Sequence, residues 1–415
     1  MRCKIPEIGF PENVEIGPVL LEGGFAREAL PYLETAASNR GNANDLTNLA
    51  ICHRNLMRMD SALSYAQKAV KIEPNNVPAW HNLGIIREDF GQFQEAEEAY
   101  GRALDLNNLV SFVQQGVCYC RMRRGMFLDQ ATQQLWHVHR WWAVEMPELR
   151  RWEGQPLKNK DIIVWREGGA GDHILFLRYL KLLKDQGARV TLFGLKQHRS
   201  LLTGHPWVDR WMDTDEEFNS EEFDFQVSLF SIPAITKQWP LPMHTAYLFA
   251  PKLSRSGEFT VGLCLKAGEK SKNNRISRSV PAELAELLHI PGIRFVSLQR
   301  DPLPNWVEPH KEENSNWRDT ADLIGSCDVI ISVDTAIAHM AGAMGKAVWT
   351  ILPLNSDWRW FIDKADSPWY PTMRLFRNRH VSDFRETVEE VGAALLEYAS
   401  DPSRAREQAV AMGVR

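Results

Sequence analysis

Residues 34 positions apart in the N-terminal part of this chain match in kind: Asn48-Leu49 with Asn82-Leu83, Ala62 with Ala96, Ala69 with Ala103, and Pro74 with Asn108. A period of that length calls for stacked helix pairs, each unit burying its apolar face against its neighbours. Within one unit Trp80, Leu83, Gly84, Phe93, Ala96, Tyr100 and Ala103 alternate large with small side chains. The small ones, Gly84, Ala96 and Ala103, stand where paired helices must touch closely. Units 44–77 and 78–111 are clear, and Ala29, Leu33 and Ala36 predict a helix over 26–39, the second half of an earlier repeat. A third unit, about 112–146, is degenerate but keeps Gly125 and Phe127 at the offset from Gly91 and Phe93.

The period and the large-small pattern resemble the tetratricopeptide repeat (TPR). Such arrays bind peptides or partner proteins in a concave groove and also serve as self-association surfaces. Two or three units make a short groove, so this part is expected to act as an adaptor or spacer. It runs into Trp136-His137-Val138-His139-Arg140-Trp141-Trp142. That cluster reads either as a ligand or acceptor surface or as a capping helix packed on the next domain. The second is preferred, because a solenoid needs its last face covered and Trp and His suit a half-wet interface.

Composition narrows the classes. The 415 residues predict two or three domains with a large core. A net charge of −5 without long single-sign runs argues against a general polyanion binder. The six cysteines, Cys3, Cys52, Cys118, Cys120, Cys264 and Cys327, lack metal-ligand pairing and disulfide-scaffold density. No apolar run approaches the ~18 residues of a membrane span, and the start lacks the apolar stretch of a signal peptide. A cytoplasmic protein is the expectation.

Glu153-Gly154-Gln155-Pro156-Leu157 breaks the helical pattern and is read as a domain boundary. Beyond it strands and helices alternate. Asp161–Trp165 is an apolar strand, Arg166–His173 a glycine-rich turn, Ile174–Gln186 an amphipathic helix, and Val190–Phe193 the next strand. This is a βαβ unit whose glycines, among them Gly169 and Gly171, allow close approach of a substrate to backbone. Asp172 also fits a helix N-cap. Shorter strands follow, Phe225–Leu229 among them, and Pro251–Gly257 reads as a linker.

A second α/β half begins with Val261–Leu265, followed by a loop over 266–279 with five positive charges, Lys266 and Arg278 among them. Lys270 and Lys272 of that loop read as solvated. Gln299 ends the next strand, placed to meet a ligand outside the carboxyl ends of the strands. Val329–Val333 is a strand apolar enough to be buried on both faces of a parallel sheet. Asp334 and Thr335 stop it at an N-cap position, and the small-residue helix Ala336–Met344 follows. Free N–H groups at such a helix start are a ready anion site. His339, one turn in, either points a ring N–H at the same anion or is a satisfied core histidine. A helix over 384–399 is expected to pack back across the two halves.

Ser332–Pro353 resembles the nucleotide-diphosphate-binding motif of the family-nine glycosyltransferases, the bacterial heptosyltransferases. It is closer still to bacterial proteins that join such a domain to TPRs. Asp357-Trp358-Arg359-Trp360 and Ser367-Pro368-Trp369-Tyr370-Pro371 extend the match, and Arg278-Ser279 keeps the family's Arg-Ser pair. The chain departs from it where Cys264-Leu265 replaces a common Trp and Glu269 a common Asn.

The resemblance implies an α + α/β chain: a TPR α-solenoid over 1–152, then a compact two-lobed GT-B transferase. Its Rossmann-like lobes would span 158–250 on the acceptor side and 258–400 on the donor side, with a tail over 401–415. It implies transfer from a nucleotide-diphosphate sugar, inverting, with Asp172 as general base, Asp334 on sugar hydroxyls, and Gly169, Gly171 and His173 in the acceptor-side loop. Thr335, Ala336, His339, Lys266, Arg278, Ser279 and Gln299 would bind the donor. No acidic pair has metal-ligand spacing, so metal-independent transfer without a cofactor is expected. Three acceptors fit: protein, by analogy with the O-GlcNAc transferases; a glycan; or modified nucleic acid, which the net charge disfavours. A reading of another class is an inactive lobe serving a repeat scaffold.

Overall fold

A computed structural model describes residues 16–138, 148–194, 196, 199–213, 216, 219–248, 257–268, 278–310, 316–362 and 364–401. The chain divides into two compact units, the first ending at Arg121 and the second beginning at Met122. The Pro251–Ser256 part of the expected linker, the centre of the basic loop and the tail beyond Asp401 lie outside the described residues.

The first unit is helical: α1 (Ile16–Glu22), α2 (Ala26–Asn39), α3 (Ala43–Asn55), α4 (Met59–Ile72), α5 (Val77–Asp89), α6 (Phe93–Leu106) and most of α7 (Ser111–Arg123). The 34-residue period has a local physical basis at each boundary. Asn42 and Asn76 cap α3 and α5 by accepting from the Asp45 and Ala79 backbone N–H groups. The turns inside each pair go left-handed at Met57 and at Gly91, with φ of 59° and 69°. Ala62, Ala69, Ala96 and Ala103 are buried between helices.

Gly84 is needed for a further reason. A Cβ there would fall 2.4 Å from the Tyr100 ring, and one at Gly116 would fall 2.7 Å from the same ring. Tyr100 is wedged between two glycines and cannot yield to either side. Gly84→Ala is therefore expected to cost about 1–3 kcal/mol by overpacking. Chemical denaturation of the full chain checks this, and a loss below about 0.5 kcal/mol would contradict the wedge.

The degenerate third unit departs from the repeat. Helix α8 (Gln130–Val138) starts past Phe127, where the offset from Phe93 would begin it. Phe127 is instead core, stacked on Trp239 at 4.1 Å and edge-on to Trp136 at 5.9 Å. Trp136 also stacks on Phe230 and meets Trp358 edge-on, both at 5.8 Å. The Trp136 end of the cluster is thus packed within the second unit, while 139–142 lie outside the described residues.

The second unit holds two parallel sheets. The first lobe comprises β1 (Asp161–Trp165), α9 (Ala170–Phe176), a 3-10 turn at Leu177–Tyr179, α10 (Leu180–Asp185), β2 (Arg189–Gly194), α11 (Arg199–Leu202), β3 (Arg210–Asp213), β4 (Phe225–Ser228) and α12 (Ile232–Thr236). Its strand order is β3-β2-β1-β4. The second lobe comprises β5 (Thr260–Cys264), β6 (Arg294–Ser297), α13 (Trp317–Ser326), β7 (Val329–Val333), α14 (Ala336–Ala343), β8 (Ala347–Leu352), β9 (Met373–Arg377) and α15 (Arg385–Ser400). Its order is β6-β5-β7-β8-β9. All pairings are parallel, and β5 and β7 are buried throughout, as their unbroken apolar runs require.

Two expectations are corrected. The predicted amphipathic helix 174–186 starts earlier, at Ala170, and is broken by the 3-10 turn. Residues 172–180 are all buried, because α9 packs on α14 of the other lobe. Among the described residues helix α15 packs chiefly within its own lobe, on the 282–288 turn, β8 and β9, with the Leu287 carbonyl against Gly392. The lobes are joined elsewhere. Ala343 O accepts from Tyr247 N at 2.9 Å and Leu248 N at 3.1 Å. Among the described residues no helix is long and apolar enough to cross a membrane.

Candidate functional site

In the second sheet, chain order reverses between β5 and β7, which lie side by side with β6 beyond one and β8 beyond the other. Such a switch point opens a crevice at the carboxyl ends of the strands, where ligands of doubly wound sheets bind. The turns leaving β5 and β7 carry the residues expected to hold the donor. Gln299 Oε1 accepts from the Leu265 and Lys266 N–H groups at 2.7 and 3.0 Å, so this amide shapes the β5 exit. Ser279 Oγ accepts from Ala267 N at 2.9 Å and ties the far end of the basic loop to the same turn. Lys266 is paired with Asp301 at 2.6 Å on the surface. Residues 269–277 lie outside the described residues.

At the β7 exit, Thr335 occupies the N-cap position with extended backbone but makes no side-chain cap. Its hydroxyl turns back to Ser332 Oγ at 3.1 Å and Cys264 Sγ at 3.7 Å. Thr335 and Ala336 are half-buried, whereas Ile337 through Ala343 are buried. Arg278 donates to Asp334 Oδ2 at 3.3 Å, and Asp334 Oδ1 is 4.0 Å from His339 Nε2. His339 is buried, stacked on Trp360 with centroids 5.0 Å apart, and its Nδ1 lies 3.1 Å from the Tyr370 hydroxyl. Gly342 makes that contact possible, since a Cβ there would fall 2.6 Å from the Tyr370 ring. Burial and the neighbouring Tyr247 push the Tyr370 phenol well up, so it stays protonated at neutral pH.

The glycine-rich turn of the first lobe faces this helix start. A Cβ on Gly171 would lie 2.8 Å from the His339 ring and 3.4 Å from the Ala336 Cα. Gly168, at φ 72°, also leaves room for the Asp172 carboxylate, which would otherwise meet its Cβ at 2.3 Å. Asp172 Oδ2 accepts from Gly169 N at 2.7 Å, capping α9. Its Oδ1 accepts from Arg359 of the second lobe. His173 is buried beside it. At the neighbouring end of β1, Glu167 accepts from Ser228 Oγ at the end of β4.

Sequence reasoning gave Arg178 and Tyr370 no role, and read Arg359 only within Trp358-Arg359-Trp360, as either a nucleoside wall or structural packing. Arg359 donates to both Asp172 and Asp357. Burial opposes its charge, but Asp172, Asp357 and Asp334 outweigh that and push its pKa up. Its guanidinium sits 4.1 Å over the Trp358 ring, and its buried Nε–H has no acceptor among the described residues. Arg178 is fully buried and donates to the carbonyls of Leu175, Leu241 and Trp369 and to the Tyr247 hydroxyl. It lies 4.7 Å over the Tyr370 ring. The available signal was an arginine inside an unbroken apolar run, Ile174–Leu180. Tyr370, partner of His339, stood within the family-like stretch without a role.

Comparisons with known proteins place the repeats. Residues 46–76 and 65–98 each match a tetratricopeptide-repeat family model, so the 34-residue units are tetratricopeptide repeats. Protein FlbA of Caulobacter vibrioides is 24% identical over 450 residues, covering 94% of this chain and 74% of that protein. Among solved structures, the Thermobaculum terrenum O-GlcNAc transferase aligns over 95% of this chain and 91% of that one, with 14% identity and a TM-score of 0.35. MamA aligns over 30% of this chain and 71% of that one, with 15% identity and a TM-score of 0.28.

Proposed function

We propose that this chain is a heptosyltransferase-like glycosyltransferase that moves a sugar from a nucleotide-diphosphate sugar to an acceptor hydroxyl. The observation that carries the reading is the meeting of the Gly169–Asp172 turn with the start of α14, which brings a carboxylate of one lobe beside an anion-suited crevice of the other. In this reading the diphosphate lies at the β5/β7 crevice, against the N–H groups of Ala336 and its neighbours, with Arg278 alongside. A Tyr370 hydroxyl that donates to His339 Nδ1 leaves the ring proton on Nε2, the nitrogen on the Asp334 side. His339 then offers a donor to the leaving group. Asp334 holds sugar hydroxyls, and Asp172 takes the acceptor proton as oxygen bonds to the anomeric carbon. The C–O bond to the diphosphate breaks, and the diphosphate leaves with the electron pair. The tetratricopeptide unit favours a protein-borne hydroxyl as acceptor, because such repeats bind peptides.

A thermal-shift screen with UDP, GDP, ADP, CDP and dTDP tests the donor site. A nucleotide at a hundred times its Kd stabilises the folded chain by about 2.7 kcal/mol. One of the five is expected to raise the melting temperature of the wild type by several degrees and that of His339→Ala by much less. No shift with any of them would replace this reading with a repeat scaffold carrying an inactive α/β unit.

A further inference from the structure

We infer that Arg359 is a positioning residue for Asp172, holding its carboxylate aimed across the cleft; this rests on the transferase reading above. Three observations carry it. The guanidinium reaches Asp172 from the opposite lobe, so the geometry of the base depends on the donor lobe. The turn bearing Arg359 is itself braced. Arg123 donates to Ser356 O at 2.8 Å, Arg377 donates to Ser356 Oγ at 3.1 Å and to the Trp360 carbonyl, and Trp369 Nε1 donates to Arg359 O. Phe361, two residues on, has φ 55° and ψ −171°, a conformation that residues other than glycine rarely adopt. Backbone strain of this kind persists only where surrounding contacts over-determine it, and it clusters at functional sites.

The guanidinium and the Gly169 N–H each hold one oxygen of Asp172, which fixes the carboxylate in one orientation and leaves its other lone pairs to an acceptor hydroxyl. Asp357, the second acceptor of Arg359, holds the guanidinium from its own turn.

The test measures release of nucleoside diphosphate from UDP-glucose, GDP-mannose, ADP-glucose and dTDP-glucose, with water as acceptor, in wild type, Arg359→Gln and Arg359→Lys. In Arg359→Gln kcat is expected to fall by about 10²-fold, the effect of a misplaced reacting group, with affinity for the nucleoside diphosphate within about threefold of wild type. Arg359→Lys keeps a cation in reach of Asp172 and is expected to recover part of the lost kcat. An unchanged kcat in Arg359→Gln, or a fall in nucleotide affinity that accounts for the whole loss of rate, overturns the inference. If Arg359→Gln fails to fold by circular dichroism, Asp357→Asn decides. It loosens the guanidinium and is expected to lower kcat with nucleotide affinity kept, while an unchanged kcat overturns the inference. A wild type that binds and turns over none of the four donors defeats the transferase reading itself. That outcome is distinct from wild-type turnover with an unchanged kcat in Arg359→Gln, which defeats only the role of Arg359.

Discussion

Asp172→Asn is expected to lower turnover of the wild type's preferred nucleotide sugar by a factor of about 10²–10⁴, the usual contribution of a positioned general base. The amide still offers an oxygen to the Gly169 N–H, so the cap on α9 survives, but it cannot take a proton from an acceptor. Nucleoside-diphosphate affinity should change little, because the donor contacts proposed above lie on α14 and the β5 exit. The substitution also takes one of three carboxylates from a buried arginine, and breaking a buried pair can cost about 3–5 kcal/mol. Asp357 and Asp334 remain and soften that loss, so rates must be compared well below the melting temperature. A folded Asp172→Asn chain with wild-type turnover would remove the carboxylate from the mechanism.

Trp358→Ala is expected to destabilise the second unit by about 3–5 kcal/mol, the range for deleting a large buried aromatic. The side chain is 2% exposed. Its neighbours come from distant parts of the chain: Trp136 at 5.8 Å, Phe176 at 6.4 Å and Trp239 at 5.5 Å between ring centroids. It also forms the face under the Arg359 guanidinium, so a hole here removes packing and a cation–π contact together. Trp358→Phe should recover part of the loss. Denaturant midpoints of the three proteins would show this, and a loss for the alanine variant below about 1 kcal/mol would mean that the aromatic cluster closes over the gap.

Much of the architecture could be read locally. The helix pairs follow from matches 34 residues apart, and the structure supplies the same caps at Asn42 and Asn76. The strands β1, β5 and β7 follow from short apolar runs, and α14 from a run of small residues after Asp334-Thr335. In each case the signal is a period or a punctuation mark within one or two turns of chain, which is the range over which backbone hydrogen bonding and side-chain direction are set. The interruption of the 174–186 helix was not readable. It arises where α9 is buried against another lobe instead of presenting a wet face.

The candidate site divides in the same way. Asp172, Asp334, Thr335 and His339 sit at the strand-to-helix turns that the local pattern marked. The Thr335 hydroxyl, however, faces Ser332 and Cys264 instead of capping, a choice made by the packing of β5 beside β7. The pairing of Asp172 with Arg359 joins residues 187 positions apart, and that of His339 with Tyr370 spans 31. Arg178 shares its cation with Trp369 from 191 residues away. No periodicity encodes such partners, because they meet only when two sheets and the aromatic cluster between them have closed. Local pattern dictated the repeats, the strands and the turns at which chemistry can sit. The tertiary structure decided which charged group faces which, because burial strengthens an electrostatic pairing only after both partners have left water.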